Sequence, residues 1–298
     1  MIGRLHLIGP VRALDRQLRP ITLAGERTRE ILAAIALEQG NAISREKLAA
    51  RIWGSDGPEA RKALNSALWR LRNCLREHGC EGWITGDGDY LRLDPVSGPE
   101  LDIEDFWQAV RRSDTVDLDS AQLVAFLGYA EGELADDVAS EWLEDYRRNH
   151  VETFVNTAGA LCDRLGSGAP SPQLVEVAQR LTRIDPFDER GWRVLIQYHI
   201  AHGNSTQALR RYGELSDILG RELGVEPARA TRRLLQVAGL LGAAGGNGGG
   251  ENSVPASAMG ECGNAASLSL RIGDVSRRIS LLQDELNEIS GILASLRL

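Results

Sequence analysis

Residues 60–77, ARKALNSALWRLRNCLRE, are the stretch that decides the fold of this chain. Their apolar side chains recur at the spacing of one buried helix stripe: Ala60, Leu64, Ala67, Leu68, Leu71 and Leu75. The remaining surface is polar and cationic and carries Arg61, Lys62, Asn65, Ser66, Trp69, Arg70, Asn73 and Arg76. Lysine and arginine pair with phosphates, and asparagine or arginine bonds base edges, so this surface suits the major groove of DNA. By shape alone, a solvated amphipathic helix is favoured.

The segments on either side of this helix favour a nucleic-acid-binding helix over a merely solvated one. Two further helices are predicted at residues 26–37 and 43–54, and a hairpin is predicted at residues 83–93 around Gly-Asp-Gly-Asp. Short strands are predicted at residues 4–9 and 21–23. A hairpin behind a third, cationic helix is a wing, and three helices with a wing are a DNA-binding shape.

The motifs of this segment resemble those of OmpR-type winged-helix transcription factors and, more narrowly, the SARP family of bacterial activators. The matching strings begin at Arg29 (REIL), Ser44 (SREKLA), Ile52 (IWG), Ala63 (ALN), Trp69 (WRLR) and Asp89 (DYLRL). The resemblance implies that the third helix enters the major groove with Lys62, Asn65, Ser66, Trp69 and Arg70 nearest the DNA. It also implies that the loop of Gly54, Ser55, Asp56 and Gly57 lies where such factors touch RNA polymerase.

Two features depart from that pattern. The hairpin carries Asp87 and Asp89 where a minor-groove contact needs a cation, so the wing is expected to bind DNA poorly or through backbone groups only. Trp69 is large for a groove-facing position: it could stack on a sugar or a thymine methyl, or pack on a neighbouring domain. Packing is slightly favoured, because tryptophan is usually buried.

Charge is unevenly distributed along the 298 residues, whose net charge is -8. Residues 1–97 hold 15 Lys+Arg against 12 Asp+Glu, and the remainder holds 19 against 30. Only the first segment therefore suits a polyanion, with modest and salt-sensitive affinity. No signal peptide or membrane span is predicted, and the four unpatterned cysteines indicate a reducing cytoplasm. Cys74, His78 and Cys80 lack a fourth ligand, so no metal or other cofactor is expected.

The second segment is predicted to be entirely helical. Helices are expected near residues 103–112, 119–130, 139–165, 171–184, 188–202, 205–222 and 227–239. Ala178, Pro186, Tyr198, Gly203 and Ala208 fall near the positions expected of tetratricopeptide-like pairs. The strings at residues 185–190 (DPFDER) and 222–227 (ELGVEP) resemble the bacterial transcriptional activation domain that follows the winged helix in SARP proteins. A surface for partner binding or self-association is favoured over a spacer that only packs on the DNA-binding domain.

The C-terminal segment combines a glycine-rich linker with a heptad repeat. Residues 242–264 have the composition of a flexible linker. The heptad that follows indicates a coiled coil for self-association as a dimer or higher oligomer, through Leu268, Ile272, Val275, Ile279, Leu282, Leu286, Ile289, Leu293 and Leu296. An amphipathic helix that folds back on the repeat domain is the alternative.

These patterns predict a mostly α chain in four parts. The four parts are an OmpR-like winged-helix DNA-binding domain with short strands (1–97), a TPR-like bacterial transcriptional activation domain (98–241), a linker (242–264) and an oligomerisation helix (265–298). We expect a cytoplasmic regulator that binds repeated half-sites on double-stranded DNA as a homo-oligomer and recruits RNA polymerase. The alternative is a protein-interaction scaffold that does not bind DNA. No enzyme is predicted, because the five histidines form no motif with Ser, Cys or carboxylates.

Overall fold

The computed structural model describes residues 3–23, 25–115 and 118–241. Within these residues the backbone forms ten α-helices and seven short strands, and all of the strands precede residue 102. The predicted fold class, mostly helical with small N-terminal sheets, is confirmed at that level. The strands are β1 Arg4–His6, β2 Arg12–Leu14, β3 Pro20–Ile21, β4 Ile43–Ser44, β5 Ile84–Asp87, β6 Tyr90–Leu93 and β7 Glu100–Leu101.

The first sheet has the strand order β3-β2-β1-β7. β1 pairs antiparallel with β2 and parallel with β7, so Arg4 lies opposite both Leu14 and Glu100. The strand predicted at residues 4–9 is present but shorter, at Arg4–His6, and the strand predicted at residues 21–23 is displaced to Pro20–Ile21. β2 and β7 were not predicted, because runs of two or three residues are too short to show an alternating pattern.

Helices α1 (Glu26–Ala36), α2 (Arg45–Trp53) and α3 (Pro58–Glu77) pack against one another. The second helix begins at Arg45 and not at residue 43, because Ile43–Ser44 pairs with β6 as strand β4. Ser44 then caps α2, its Oγ accepting a hydrogen bond from the backbone N–H of Lys47 at 3.1 Å. Gly54, with φ of 67°, ends the helix in the left-handed conformation.

The predicted apolar stripe of α3 is confirmed. The buried residues of this helix are Ala60, Leu64, Ala67, Leu68, Leu71 and Leu75. Because they occupy one side, the polar residues between them are directed away from the core formed with α1 and α2.

The predicted hairpin is also present, as β5 and β6 in a second sheet of order β4-β6-β5. Asp87 pairs with Tyr90 across a turn in which Gly88 has φ of 57°, a conformation that glycine adopts without steric cost. Trp83, at the base of the hairpin, is buried with 1% of its surface exposed. It anchors the hairpin to the core.

All seven helices predicted in the second segment are present, within a few residues of the expected bounds. They are α4 Asp102–Ser113, α5 Ser120–Gly128, α6 Leu143–Leu165, α7 Pro172–Ile184, α8 Glu189–Ala201, α9 Ser205–Glu222 and α10 Arg229–Val237. From α6 to α9 each helix packs against the next, and α10 returns to α8. The largest difference between a predicted and an observed helix boundary is at α6, which begins at Leu143 and not at residue 139.

Glu30 explains the late start of α6. This α1 carboxylate is completely buried and accepts hydrogen bonds from Arg27, from Ser140 Oγ and, at 3.1 Å, from Trp142 Nε1. Because Ser140 and Trp142 turn toward Glu30, the chain before Leu143 stays irregular. Arg29 adds an ion pair of 2.7 Å to Asp137. We use the name junction for these contacts between α1 and residues 137–142, together with the contacts between Asp102 and the residues after β1 that are described next.

Asp102 forms the second half of the junction, at the start of α4. Its carboxylate accepts hydrogen bonds from the backbone N–H groups of Leu7, at 2.8 and 3.0 Å, and Ile8, at 3.0 Å. Burial raises the pKa of Asp102, although these hydrogen bonds and nearby His6 oppose the rise. One hydrophobic cluster continues across the junction, from Leu5 in β1 through Phe106 in α4 to helix α9.

Three predictions concern residues that the structure does not describe. The linker (242–264), the oligomerisation helix (265–298) and the heptad positions in it all lie outside the described residues. No helix in residues 3–23, 25–115 and 118–241 is long and apolar enough to span a bilayer. In the same ranges no three potential metal-ligating side chains come together. Cys74 Sγ instead lies 3.0 Å from the carbonyl oxygen of Thr22.

Candidate nucleic-acid interface

The candidate interface is the side of α3 that faces away from the core. Seven of the eight predicted contact residues are exposed, and we call the six that lie together there the outer face of α3: Arg61, Lys62, Asn65, Ser66, Trp69 and Arg70. Lys62, Ser66 and Trp69 follow one another at helical spacing and therefore share one side of the helix. Nearer the C-terminal end, Arg76 is exposed and Asn73 is half-buried.

Trp69 corrects one expectation. The sequence slightly favours packing of this residue on a neighbouring domain, but 66% of its surface is exposed. Among the residues that the structure describes, the buried tryptophans are Trp83 and Trp192. Trp69 follows buried Leu68 by one residue, and one step rotates the side chain by about 100° away from the stripe. The indole thus lies open in the middle of the outer face.

Two cations of the outer face have no ion pair within the described part of the chain: Lys62 and Arg70. By contrast, Arg61 donates through Nε to the carbonyl oxygen of Asp56 at 2.8 Å, and its Nη2 lies 3.8 Å from Glu46. A cation without a carboxylate partner keeps its full capacity for a phosphate oxygen. Lys62 and Arg70 are therefore the strongest phosphate-binding candidates on this helix.

The polar side chains of α3 make local hydrogen bonds. Ser66 Oγ donates to the carbonyl oxygen of Lys62 at 3.0 Å. Arg76 Nη1 donates to Asn73 Oδ1 at 3.1 Å, near the C-terminal end of the helix. Asn73 is half-buried and bonded within its own helix, so it is less available than the six residues of the outer face.

Two arginines that the sequence reasoning missed flank the outer face. Arg45, in the first turn of α2, donates from Nη1 to Asn65 Oδ1 at 3.0 Å. Arg72 is half-buried, and its pKa is lowered by burial and by the positive charge of Arg45. Arg72 follows Asn65 by seven residues, which is close to two helical turns, so periodicity could have found it. Arg45 could not be found that way, because it belongs to another helix.

The hairpin next to α3 is acidic and exposed, as expected. Asp87 and Asp89 are both exposed, and the carbonyl oxygen of Asp89 accepts the backbone N–H of Arg45 at 2.7 Å. Tyr90 has 54% of its surface exposed. A cleft of about 340 Å³ separates the hairpin from α2 and α3 and is lined by Ser44, Arg45, Glu46, Arg61, Leu64, Asn65, Asp89 and Tyr90. Cationic and acidic groups thus face each other across this cleft.

The loop between α2 and α3 consists of Gly54, Ser55, Asp56 and Gly57. The first three are exposed, and Gly57 is half-buried. Ser55 Oγ accepts a hydrogen bond from the N–H of Gly57 at 3.1 Å, and Asp56 is tied to Arg61 in α3. The loop therefore presents a carboxylate and a hydroxyl directly beside the start of the outer face.

Comparisons with known proteins give this geometry a context. Residues 101–237 match the family model of the bacterial transcriptional activator domain. Over 250 residues the chain is 23% identical to the transcriptional regulatory protein MoaR1 of Mycobacterium tuberculosis, covering 78% of this chain and 77% of MoaR1. Over 241 residues it is 25% identical to the regulatory protein AfsR of Streptomyces coelicolor, covering 78% of this chain but only 24% of AfsR.

A solved structure shows the same fold. It is that of Mycobacterium tuberculosis EmbR in complex with a low-affinity phosphopeptide, with a TM-score of 0.60 and 20% sequence identity. The match covers 79% of this chain and 64% of the EmbR chain. At this identity the likeness concerns the fold alone. Residues 101–237 thus match the bacterial transcriptional activator domain, and 78% of the chain is similar to the transcriptional regulators MoaR1 and AfsR.

Proposed function

We propose that this regulator binds double-stranded DNA through α3, with residues 1–97 acting as a winged-helix domain and β5–β6 as its wing. The observation that carries the proposal is the outer face of α3, on which unpaired cations, an asparagine and an exposed tryptophan share one side of a twenty-residue helix. A helix fits the major groove, where side chains on one face reach the base edges and flanking cations reach phosphates.

Each residue type has a distinct task in this proposal. Lys62 and Arg70 contact phosphates, because neither has a carboxylate partner in the described residues. Asn65 donates to a base edge, and Trp69 contacts a thymine methyl or a sugar. Arg61, Ser66, Asn73 and Arg76 add hydrogen bonds along the groove. Since phosphate contacts dominate affinity but carry no sequence information, binding is salt-sensitive and its specificity rests on few residues.

The activating step is proposed to use two other surfaces. The loop from Gly54 to Gly57 contacts RNA polymerase, since it is exposed beside the DNA-facing helix and carries polar groups. Residues 98–241, with TPR-like helix pairs, hold a protein partner or position that loop. The match of residues 101–237 to the bacterial transcriptional activator domain supports a role in transcription. That family consists of transcriptional regulators and not of enzymes.

Self-association is proposed from sequence alone, since the heptad lies outside the described residues. Two tethered DNA-binding domains that read repeated half-sites gain affinity through effective concentration. Deletion of residues 265–298 should lower the mass in light scattering and weaken binding to a two-site probe far more than to a one-site probe. An unchanged mass would reject this part of the proposal.

Selection of bound duplexes from a random pool, followed by footprinting of the selected site, tests the proposed function directly. We expect a repeated motif and protection of both half-sites. Asn65→Ala should relax base preference, whereas Lys62→Ala and Arg70→Ala should weaken all duplexes about equally. If a multimeric sample at low salt prefers no duplex, sequence-specific DNA binding by this chain is refuted.

The second candidate is a protein-interaction scaffold without DNA binding. The exposed carboxylates Asp87 and Asp89 on the hairpin favour it, because they repel phosphates. An open cleft of about 870 Å³ beside α10 also favours it, with Ile200, Leu234 and Val237 in its wall. Retention on heparin and on random DNA across a salt series separates the candidates. A scaffold elutes early from both columns, and a DNA-binding protein elutes late with a steep salt dependence.

A further inference from the structure

The hydrogen bond between Arg45 and Asn65 ties the first turn of α2 to the middle of the outer face of α3. Arg45 Nη1 donates to Asn65 Oδ1 at 3.0 Å. A guanidinium has only donors, so it can bind an amide side chain only through the oxygen. The bond therefore fixes the orientation of the amide: Oδ1 is engaged by Arg45, and the Nδ2 group with its two donors is left for a ligand.

The surroundings of this pair make it richer in donors than in acceptors. Arg45 and Asn65 line the cleft between α2, α3 and the hairpin, which Arg61 also lines. The two carboxylates in the cleft wall belong to Glu46 and Asp89. Glu46 lies 3.8 Å from Arg61, and Arg45 shows no ion pair within the described residues. The charge of Arg45 is thus not cancelled by a direct contact.

Base chemistry distinguishes what such a pair can read. An asparagine that binds adenine with two hydrogen bonds must accept from N6–H through Oδ1 and donate to N7 through Nδ2. Arg45 already occupies one lone pair of Oδ1, and its positive charge repels a second N–H donor at that oxygen. Guanine presents two acceptors, N7 and O6, and no donor on the same edge. The Nδ2 donors of Asn65, which Arg45 leaves free, therefore match guanine and not adenine.

We infer that Arg45 is a specificity-determining residue: by holding Oδ1 of Asn65 it leaves that amide as a donor-only reader that selects guanine over adenine at one position of the bound duplex. The inference rests on the proposed function, since it requires α3 to enter the major groove. It goes further by naming the base and the residue, on another helix, that sets the choice.

The test uses the full-length chain and the duplex that the wild type selects from a random pool. Every position of that duplex is changed to each other base, and affinities are measured for wild type, Arg45→Met, Arg45→Lys and Asn65→Ala. Methionine keeps an unbranched side chain without donors, and lysine keeps a cationic donor. We expect wild type and Arg45→Lys to prefer guanine over adenine about tenfold at one position. Arg45→Met should reverse that preference, and Asn65→Ala should abolish it there only.

The double variant Arg45→Met with Asn65→Ala should match Asn65→Ala in base preference, because Arg45 acts on the choice through the asparagine. Arg12→Ala, an exposed arginine on β2 outside α2, α3 and the hairpin, controls for the loss of one positive charge. Circular dichroism of each variant verifies folding. Equal weakening of all duplexes by Arg45→Met would make Arg45 a phosphate contact and overturn the inference, while the proposed function would stand. A wild type without any duplex preference would overturn both.

Discussion

The outer face of α3 and the junction use the same kinds of side chain in opposite ways. At the junction, Glu30 is fully buried and accepts three hydrogen bonds, and Asp102 accepts hydrogen bonds from the backbone N–H groups of Leu7 and Ile8, just after β1. On the outer face, Lys62 and Arg70 have no ion pair among the described residues and Trp69 is mostly exposed. The buried carboxylates of one region are thus hydrogen-bonded, whereas two cations of the other have no ion pair among the described residues.

The difference separates structural polar groups from functional ones. A buried carboxylate must be hydrogen-bonded, since desolvation without partners costs several kcal/mol. An exposed cation carries no such requirement, because water satisfies it until a ligand arrives. Mutations at the junction should therefore change the free energy of unfolding, whereas mutations on the outer face should change binding and leave stability almost untouched.

Two tryptophans provide the widest contrast in stability. Trp83→Ala removes a side chain with 1% of its surface exposed and should lower the free energy of unfolding by about 4 kcal/mol. Trp69→Ala removes one with 66% exposed and should change it by less than about 0.5 kcal/mol. Urea unfolding followed by far-UV circular dichroism measures both. A large loss in Trp69→Ala would mean that Trp69 is buried in solution and is not part of an open face.

Glu30→Ala should produce the next largest loss of stability. It removes the acceptor of Ser140 and Trp142 and the partner of Arg27, and should cost about 3 kcal/mol, the lower end of the range for removing one partner of a buried ion pair. Glu141→Ala is the matched control, because this neighbouring carboxylate is exposed. Urea unfolding should show a loss for Glu30→Ala alone. Equal stability of the two variants would mean that the junction does not depend on Glu30.

Both regions also show which structural features can be predicted from the sequence and which cannot. The apolar stripe of α3 and the hairpin at residues 84–93 were predictable, because periodicity and turn residues are local signals. The partnership of Glu30 with Ser140 was not predictable, since it joins residues 110 positions apart and leaves no local pattern. For the same reason the bond from Arg45 to Asn65 was missed, although Asn65 itself was expected on the outer face.

Loss of single cations from the outer face should give a moderate effect on DNA binding. Lys62→Ala and Arg70→Ala should each weaken a selected duplex about fivefold and reduce the slope of log affinity against log salt by about 0.9, the value for one released phosphate contact. Fluorescence anisotropy at several salt concentrations measures both quantities. Arg12→Ala, an exposed cation outside this face, should leave the slope unchanged. Identical slopes in all variants would remove α3 from the interface.

The smallest expected effect is a pH dependence that originates near the junction. His150 in α6 is buried, its Nε2–H donates to the carbonyl oxygen of Tyr129 at 2.8 Å, and burial lowers its pKa below 6.5. The hydrogen bond to Tyr129 and the carboxylate of Asp102 oppose that shift without cancelling it. The unfolded chain therefore binds a proton at His150 before the folded chain does.

Stability should consequently fall as the pH drops below 6.5 and level off once the folded histidine is protonated. Asp102 acts with the opposite sign, because its pKa is raised and its protonation on acidification favours the folded state. His150→Gln isolates the histidine: the variant keeps a side-chain donor for Tyr129 but cannot titrate. Urea midpoints at pH 7.5, 6.5 and 5.5 should fall less in this variant than in wild type or in the exposed-histidine control His202→Gln. If His150→Gln keeps the full wild-type slope, the acid sensitivity belongs to other groups and the buried histidine is not its source.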